Sequence, residues 1–383
     1  MLQTSYIEIS KSAYRHNIQY LKKIIGDKVK LSAVVKGNAY GHGVDIIVPL
    51  AEKSGVNHFS VFSASEAMDV FKVKSSKSNI MIMGYLSDDQ LAWAIENGIE
   101  FYVFDFYRLN KAIELAKILK KPARIHVEAE TGFNRTGFEF EELPQVVTLM
   151  QENLNHLEFV GLCTHYAGAE TIANHLRVMN QIEIYKSFYE YFLNKNLVPK
   201  YRHTAASAAT LTYPQTRMDM VRVGIAQYGF WPTQETLIHQ IKENNAKESD
   251  LRRVISWKTN IMSIKNVEPG EFVGYGISYM ANRKTKVAII PVGYSNGYSR
   301  SLSNSGRVLI HGKLAPVIGS VTMNTLSVNV TDIPNVNQGD EVVLIGKQKR
   351  ECITVASFSD MSNQLNYQVL ARLPGNIPRN VVS

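Results

Sequence analysis

The chain has 383 residues, 42 Lys+Arg against 34 Asp+Glu for a formal charge of +8, two cysteines and 45% hydrophobic residues. This length suggests two domains and the apolar content excludes a wholly disordered chain; two cysteines exclude a disulfide scaffold and suit a reducing compartment. The N-terminal stretch lacks the apolar core of a secretory signal, and nothing approaches the ~20 apolar residues of a membrane span, so the chain reads as a cytoplasmic globular protein. Its basic residues are scattered, with short clusters at Lys72 to Lys77, Lys117 to Arg124 and Lys347 to Arg350. No zinc-finger, basic-zipper or RNA-binding signature accompanies them. The surplus therefore reads as solvated surface, compatible with a small anion but not calling for nucleic acid or membrane.

In chain order, short apolar runs alternate with amphipathic segments. LSAVVK (31–36) precedes a helix at 43–55, HFSVFS (58–63) one near 64–73, and IMIMG (80–84) one near 87–97. EFYVFD (100–105), RIHVEAE (124–130) and EFVGLCTHY (158–166) each lead to another helical stretch, and YRHTAAS (201–207) and MVRVGIAQYG (220–229) follow. Continuous apolar strands separated by helices predict a parallel sheet covered on both faces. Eight such units predict a closed (β/α)8 barrel of the TIM type over residues 1–243, with an open doubly wound sheet as the alternative. After a polar linker near 231–250 the helices disappear. Runs such as VISWKTNIMSIKNV, EFVGYGI, KVAIIPVGY, LAPVIGSVTM and EVVLIG, punctuated by Gly, Pro, Asn and Asp, predict an all-β domain over 244–383.

Barrels of this type carry their chemistry where strands end. The first barrel strand runs into Lys36, within AVVKGNAYGHG. A lysine at an apolar mouth loses water, which favours the neutral amine and suits a nucleophile toward an aldehyde; a lysine snorkelling from a strand end has the same sequence. The loops after strands seven and eight read AASAAT, with Ser207, and RVGIAQYG, with Arg222 and Gly224. A small hydroxyl, exposed N–H groups and a close-approach glycine suit a phosphate monoester, although a serine opening a helix is also an ordinary cap. Lysine and phosphate cradle together suggest pyridoxal phosphate. No metal-ligand spacing occurs.

AVVKGNAYGHG, ETGFNRTGF, THYAGAE, MVRVGIAQYG, VGYGISY, IPVGYSNGYSR, GSVTMN and NYQVLARLPGNIPR occur in the order and approximate spacing of alanine racemases, so the chain resembles that family over nearly its whole length. The resemblance implies a barrel followed by a β-domain, pyridoxal 5'-phosphate, interconversion of L- and D-alanine for peptidoglycan, and a homodimer with composite active sites. It implies that Lys36 is the Schiff-base lysine and the base on one face of the amino-acid substrate. Tyr275 would be the opposite base, supplied by the β-domain of the partner subunit. Arg222 would face the pyridine nitrogen, and Tyr40, Ser207, Gly224, Ile225 and Tyr367 would surround the phosphate. His165 would lie beside the cofactor ring, Arg135 near its phenolic oxygen and the substrate carboxylate, Met323 would offer a backbone N–H to that carboxylate, and Tyr294 would line the entrance. By itself His165 fits a satisfied structural histidine equally well, and Tyr40 and Tyr367 by themselves fit aromatic core packing better.

Some positions depart from the common family pattern. Glu128 stands where many relatives carry a carbamylated lysine, suggesting an anion facing Arg135 directly. Glu130 replaces an aspartate, Ala206 an asparagine, Val223 a proline, and Asn296, Ser320 and Asn324 replace charged residues. These differences bear on specificity more than on racemisation. The alternatives are a broader racemase of the same fold, acting on serine or other amino acids, and a non-catalytic protein of pyridoxal phosphate homeostasis. The latter kind resembles the barrel alone.

Overall fold

The computed structural model describes residues 4–243, 249–362 and 366–383. It falls into two units, one formed by Ala13–Lys36 and Val44–Arg252, the other by Met1–Ser12, Gly37–Gly43 and Arg253–Ser383. The strands, in chain order, are β1 (Ser5–Ser10), β2 (Lys30–Val34), β3 (His58–Val61), β4 (Asn79–Ile82), β5 (Glu100–Val103), β6 (Ala123–Glu128), β7 (Leu157–Cys163), β8 (Tyr201–His203) and β9 (Met220–Val223). They continue with β10 (Ile255–Asn260), β11 (Ser263–Val267), β12 (Thr285–Ile290), β13 (Arg307–Ile310), β14 (Lys313–Ile318), β15 (Leu326–Asn329), β16 (Glu341–Gln348), β17 (Glu351–Ile353) and β18 (Arg379–Val382).

The first unit is the barrel expected from the sequence. Strands β2 to β9 form one parallel sheet in the order β8-β7-β6-β5-β4-β3-β2-β9. Its ends meet: Asp219 N donates to Arg202 O at 3.2 Å and Arg222 N to Ala205 O at 2.9 Å. Strands such as β3, β5 and β9 are buried at every residue, which is why their sequences read as unbroken runs. Turn chemistry sets the helices between them. Ser63 with Glu66, and Ser87 with Gln90, form capping boxes before the helices Ala64–Val73 and Asp88–Glu96, and Asp105 caps Phe106–Leu119.

The second unit is mostly β, with the strand order β11-β12-β15-β14-β13-β16-β10-β1-β18 and β17 beside β16. Two corrections to the sequence reading arise here. The helices Val355–Ser362 and Asn366–Ala371 interrupt what reads as an all-β segment. EFVGYGI holds no strand, only an isolated bridge between Phe272 and Met280, because Gly274 and Gly276 both take left-handed φ values.

The chain also does not divide at one point. The break expected between residues 243 and 244 borders 244–248, which lie outside the described residues, while β1 pairs antiparallel with β10 and parallel with β18. Its alternating burial, with Ile7 and Ile9 inward, is the period-two pattern of the second sheet and not the continuous burial of barrel strands. Among the described residues no helix is long and apolar enough to cross a membrane.

Candidate active site

Lys36 stands two residues past β2, at the carboxyl-terminal mouth of the barrel. Directly after it, Gly37, Asn38, Ala39 and Tyr40 all adopt φ between 51° and 62°. Such a left-handed turn costs about 1–2 kcal/mol for each residue bearing a Cβ, so it persists only where neighbours hold it. In the second unit, to which Gly37–Gly43 belong, Arg379 Nε donates to Gly41 O at 2.9 Å, and His42 Nδ1 lies 3.0 Å from Ala39 O and 2.9 Å from Tyr40 O.

Around Lys36 the barrel mouth gathers cations. Loss of water lowers the Lys36 amine below its ordinary value, Glu66 opposes this, and Arg135 adds to it. His165, two residues past β7, is pushed down to about 3 by burial and by Arg222, Arg135 and Lys36, so its imidazole is neutral at neutral pH. Its ring meets Phe133 edge-on, with centroids 5.4 Å apart, and the Arg135 guanidinium lies 4.4 Å over the other side chain of that pair, Phe133.

The loop carrying Arg135 is wound around one carboxylate. Glu130 accepts from the backbone N–H groups of Phe133 (2.7 Å), Asn134 (3.0 Å) and Arg135 (3.3 Å), and also from Gly132. Burial raises the Glu130 carboxyl, but these donors hold it below the usual range. Glu128 does not form the expected pair with Arg135. It accepts from Thr136 Oγ1 at 2.8 Å, and no ion pair joins it to Arg135 among the described residues. Burial raises its pKa, with Thr136, Arg135 and Arg222 opposing the rise.

Arg222, on β9, is 4% exposed and spends four N–H groups inside the barrel. Nη1 bonds His203 Nδ1 and His203 O, both at 2.6 Å, and Nη2 bonds Thr164 O at 2.8 Å and Thr204 O at 3.1 Å. The fifth donor, Nε–H, meets no acceptor among the described residues. Beyond β8, the Ser207 hydroxyl accepts from Gly224 N at 3.0 Å and Ala226 N at 3.5 Å, with Ile225 buried between them.

Tyr40, Tyr275, Tyr294, Met323 and Tyr367 belong to the second unit. Tyr40 and Tyr367 pair, their ring centroids 6.1 Å apart. Tyr294 N donates to Thr322 O and Ser295 N to Met323 O, both at 3.0 Å, which clamps those two loops together. Only glycine fits at 293, where a Cβ would lie 2.2 Å from Thr322 O. Tyr275 is 77% exposed between its two left-handed glycines and lines a groove with Phe272, Ser320 and Thr322.

Lys36, two residues beyond the first barrel strand, and Arg222, on the last, thus stand at the same end of the barrel. Residues 9–232 match the model of the alanine racemase N-terminal domain, and residues 254–381 that of the alanine racemase C-terminal domain. The chain belongs to the alanine racemase family.

An alanine racemase of Leptospira interrogans is 34% identical over 381 residues, covering 99% of this chain and 96% of that protein. Alanine racemase 1 of Caldanaerobacter subterraneus subsp. tengcongensis is 33% identical over 375 residues, covering 97% and 93%. Among solved structures, the alanine racemase of Bacillus anthracis with bound L-Ala-P is similar at 28% identity and a TM-score of 0.90, covering 100% of this chain and 96% of that one.

Sequence reading missed the groups behind Arg222. His203, His126, His58 and Glu100 are fully buried and linked to it. The available signal was a histidine or glutamate interrupting an apolar strand, in HFSV, EFYV, RIHVE and YRH.

Proposed function

We infer that this chain interconverts L- and D-alanine with pyridoxal 5'-phosphate as cofactor. The observation that carries the reading is the barrel mouth, where a lysine with a depressed pKa faces a field of cations and Arg222 keeps one N–H unspent. The donor set suits this cofactor. The Ser207 hydroxyl and the Ile225 N–H, with Tyr40, Tyr367 and the Gly224 N–H once it is released from Ser207, would hold a phosphate. Arg222 can only donate, so a ring nitrogen held by its free N–H would have to accept and stay unprotonated. Pyridoxal phosphate, when bound, supplies an electron-withdrawing ring that makes the amino-acid Cα proton removable.

The chain's own residues then divide the work. Lys36 Nζ, its pKa lowered by desolvation, takes or returns the proton on one face of Cα. Tyr275 Oη serves the opposite face, since a single base would restore the configuration it started from. Arg135 and the Met323 N–H orient the carboxylate, neutral His165 adds no further positive charge, and Tyr294 lines the approach. The exposure of Tyr275 supports its action in a homodimer, on the barrel mouth of a second copy. Two free cysteines fit a cytoplasmic enzyme supplying D-alanine for peptidoglycan.

The test is an absorbance spectrum combined with racemisation of a panel of L-amino acids. A visible band that disappears in Lys36→Ala, with alanine the fastest substrate, is expected. A wild-type protein without the band overturns the cofactor, and faster turnover of serine overturns the substrate.

A further inference from the structure

Behind Arg222 a line of side chains crosses the barrel interior, joining strands that lie far apart in sequence. Arg222 Nη1 on β9 is 2.6 Å from His203 Nδ1 on β8, and His203 Nε2 is 2.8 Å from His126 Nδ1 on β6. His126 Nε2 is 3.1 Å from Glu100 Oε2 on β5, the oxygen that His58 Nε2 on β3 approaches to 2.8 Å. His58 Nδ1 lies 2.8 Å from Ser32 Oγ on β2. Arg124 Nη2 lies 2.9 Å from the other carboxylate oxygen, an ion contact without hydrogen-bond alignment. Glu100, His58, His126 and His203 are all 0% exposed.

The line skips β7, and a glycine explains how. A Cβ on Gly161 would lie 2.0 Å from His126 Nδ1 and 2.8 Å from His203 Nε2. Only the missing side chain lets the two imidazoles meet across that strand.

The two ends of the line decide its polarity. A guanidinium can only donate, so His203 Nδ1 must accept and its proton must sit on Nε2. His203 then donates to His126 Nδ1, which leaves the His126 proton on Nε2, facing a carboxylate that can only accept. The reverse order fails at once: a proton on His203 Nδ1 would face an Arg222 N–H, donor against donor. Burial lowers both His126 and His203, keeping them neutral as this order requires. Burial also pushes Glu100 upward, but His58 and His126 outweigh it and keep the carboxylate charged.

We propose that Glu100 is a positioning residue for Arg222, acting through His126 and His203 to fix one proton order that holds the guanidinium with its Nε–H unspent at the barrel mouth. The part assigned to Arg222 rests on the function proposed above; the proton order itself does not. Glu100 lies two histidines away from Arg222, so its effect passes through orientation and not through contact with the reacting atoms. Replacing it with leucine would remove the one oxygen on which the two histidine N–H groups converge. At least one histidine must then turn or change tautomer.

The experiment is nitrogen NMR of the full-length loaded enzyme labelled at its histidines, with His203 assigned by His203→Gln, alongside steady-state kinetics. Wild type is expected to show His126 and His203 neutral and protonated at Nε2. Glu100→Leu should alter at least one of these tautomers and lower kcat about tenfold while KM for alanine stays within about twofold, a split that general destabilisation does not produce. Gly161→Ala, which separates the imidazoles without removing any polar group, should do the same. A wild-type His203 protonated at Nδ1 overturns the proposal without any variant, so poor folding of Glu100→Leu does not shield it. Unchanged tautomers, or altered tautomers with unchanged kcat, in a folded Glu100→Leu enzyme also overturn it. If wild type lacks racemase activity, the function reading fails, while the tautomers still report on the proton order.

Discussion

The two units prepare their functional residues in opposite ways. In the barrel, Arg222 is 4% exposed with four N–H groups committed, and Glu130 gathers successive backbone donors to fix the loop of Arg135. In the second unit Tyr275, Met323 and Tyr294 are 77%, 55% and 44% exposed, and only the backbones of the latter two are clamped. Preorganisation inside a parallel barrel comes from neighbouring strands, which supply partners on each side. A loop between glycines has no such partners, so an exposed phenol there depends on whatever surface it meets. On the function proposed above, the barrel would be a fixed half-site and the second unit the donor of one reactive group.

Complementation gives the largest test of that contrast. Lys36→Ala and Tyr275→Phe should each lose at least about a hundredfold in kcat, the lower range for a missing general acid–base. Mixed chains should recover part of the activity, because one mouth in a hybrid dimer would keep both groups. Mass spectrometry can verify the mixing; verified hybrids without activity would place Tyr275 in the same chain's site.

Acid should strike the barrel next. Buried His165 and His203 have folded pKa values below the unfolded one, as does His126, so each binds a proton on unfolding. Stability should therefore fall as pH drops below about 6.5, by up to about 1.4 kcal/mol per pH unit for each histidine. The decline from His165 ends near its folded value of about 3. Glu100, whose folded carboxyl is depressed, adds a loss in the same direction below its unfolded value of 4.5. Urea midpoints between pH 7 and 5 check this, and a flat profile would mean that these imidazoles are already charged in the fold.

The smallest effect is expected at Glu128→Gln. Thr136 can still donate to the amide oxygen, while the charge felt by Arg135 is lost. A rise in alanine KM of about fivefold, matching about 1 kcal/mol, is expected from steady-state kinetics. No change in kcat or KM would remove Glu128 from the account of how Arg135 is oriented.

The barrel was legible because burial on both faces writes itself as unbroken apolar runs, and Lys36 because it ends such a run. Arg222 stood out through its MVRVG setting, but its partners did not. Glu100 and His126 come from segments more than 75 residues from His203 in the latter case, and only closure of the sheet brings them together. Residues 5–10 fell inside the range expected for the barrel, although the alternation of Ile7 and Ile9 with polar residues was visible. Alternation names a kind of sheet but not which sheet. The helix Asn366–Ala371, carrying Tyr367, was hidden in a region whose turn residues suggested strands alone.

The position of β1 also governs how the chain is made. Ser5 to Ile9 pair with Ile255 to Thr259, and Ile7 to Ser10 with Arg379 to Val382. On the ribosome the first strand emerges long before either neighbour, β18 later still than β10. The barrel segments from Ala13 to Arg252 can find their partners as they are made, while β1 must wait for strands synthesised far behind it. Until then Ile7 and Ile9, both buried in the folded protein, belong to an unpaired apolar strand, an interval that exposes the nascent protein to aggregation.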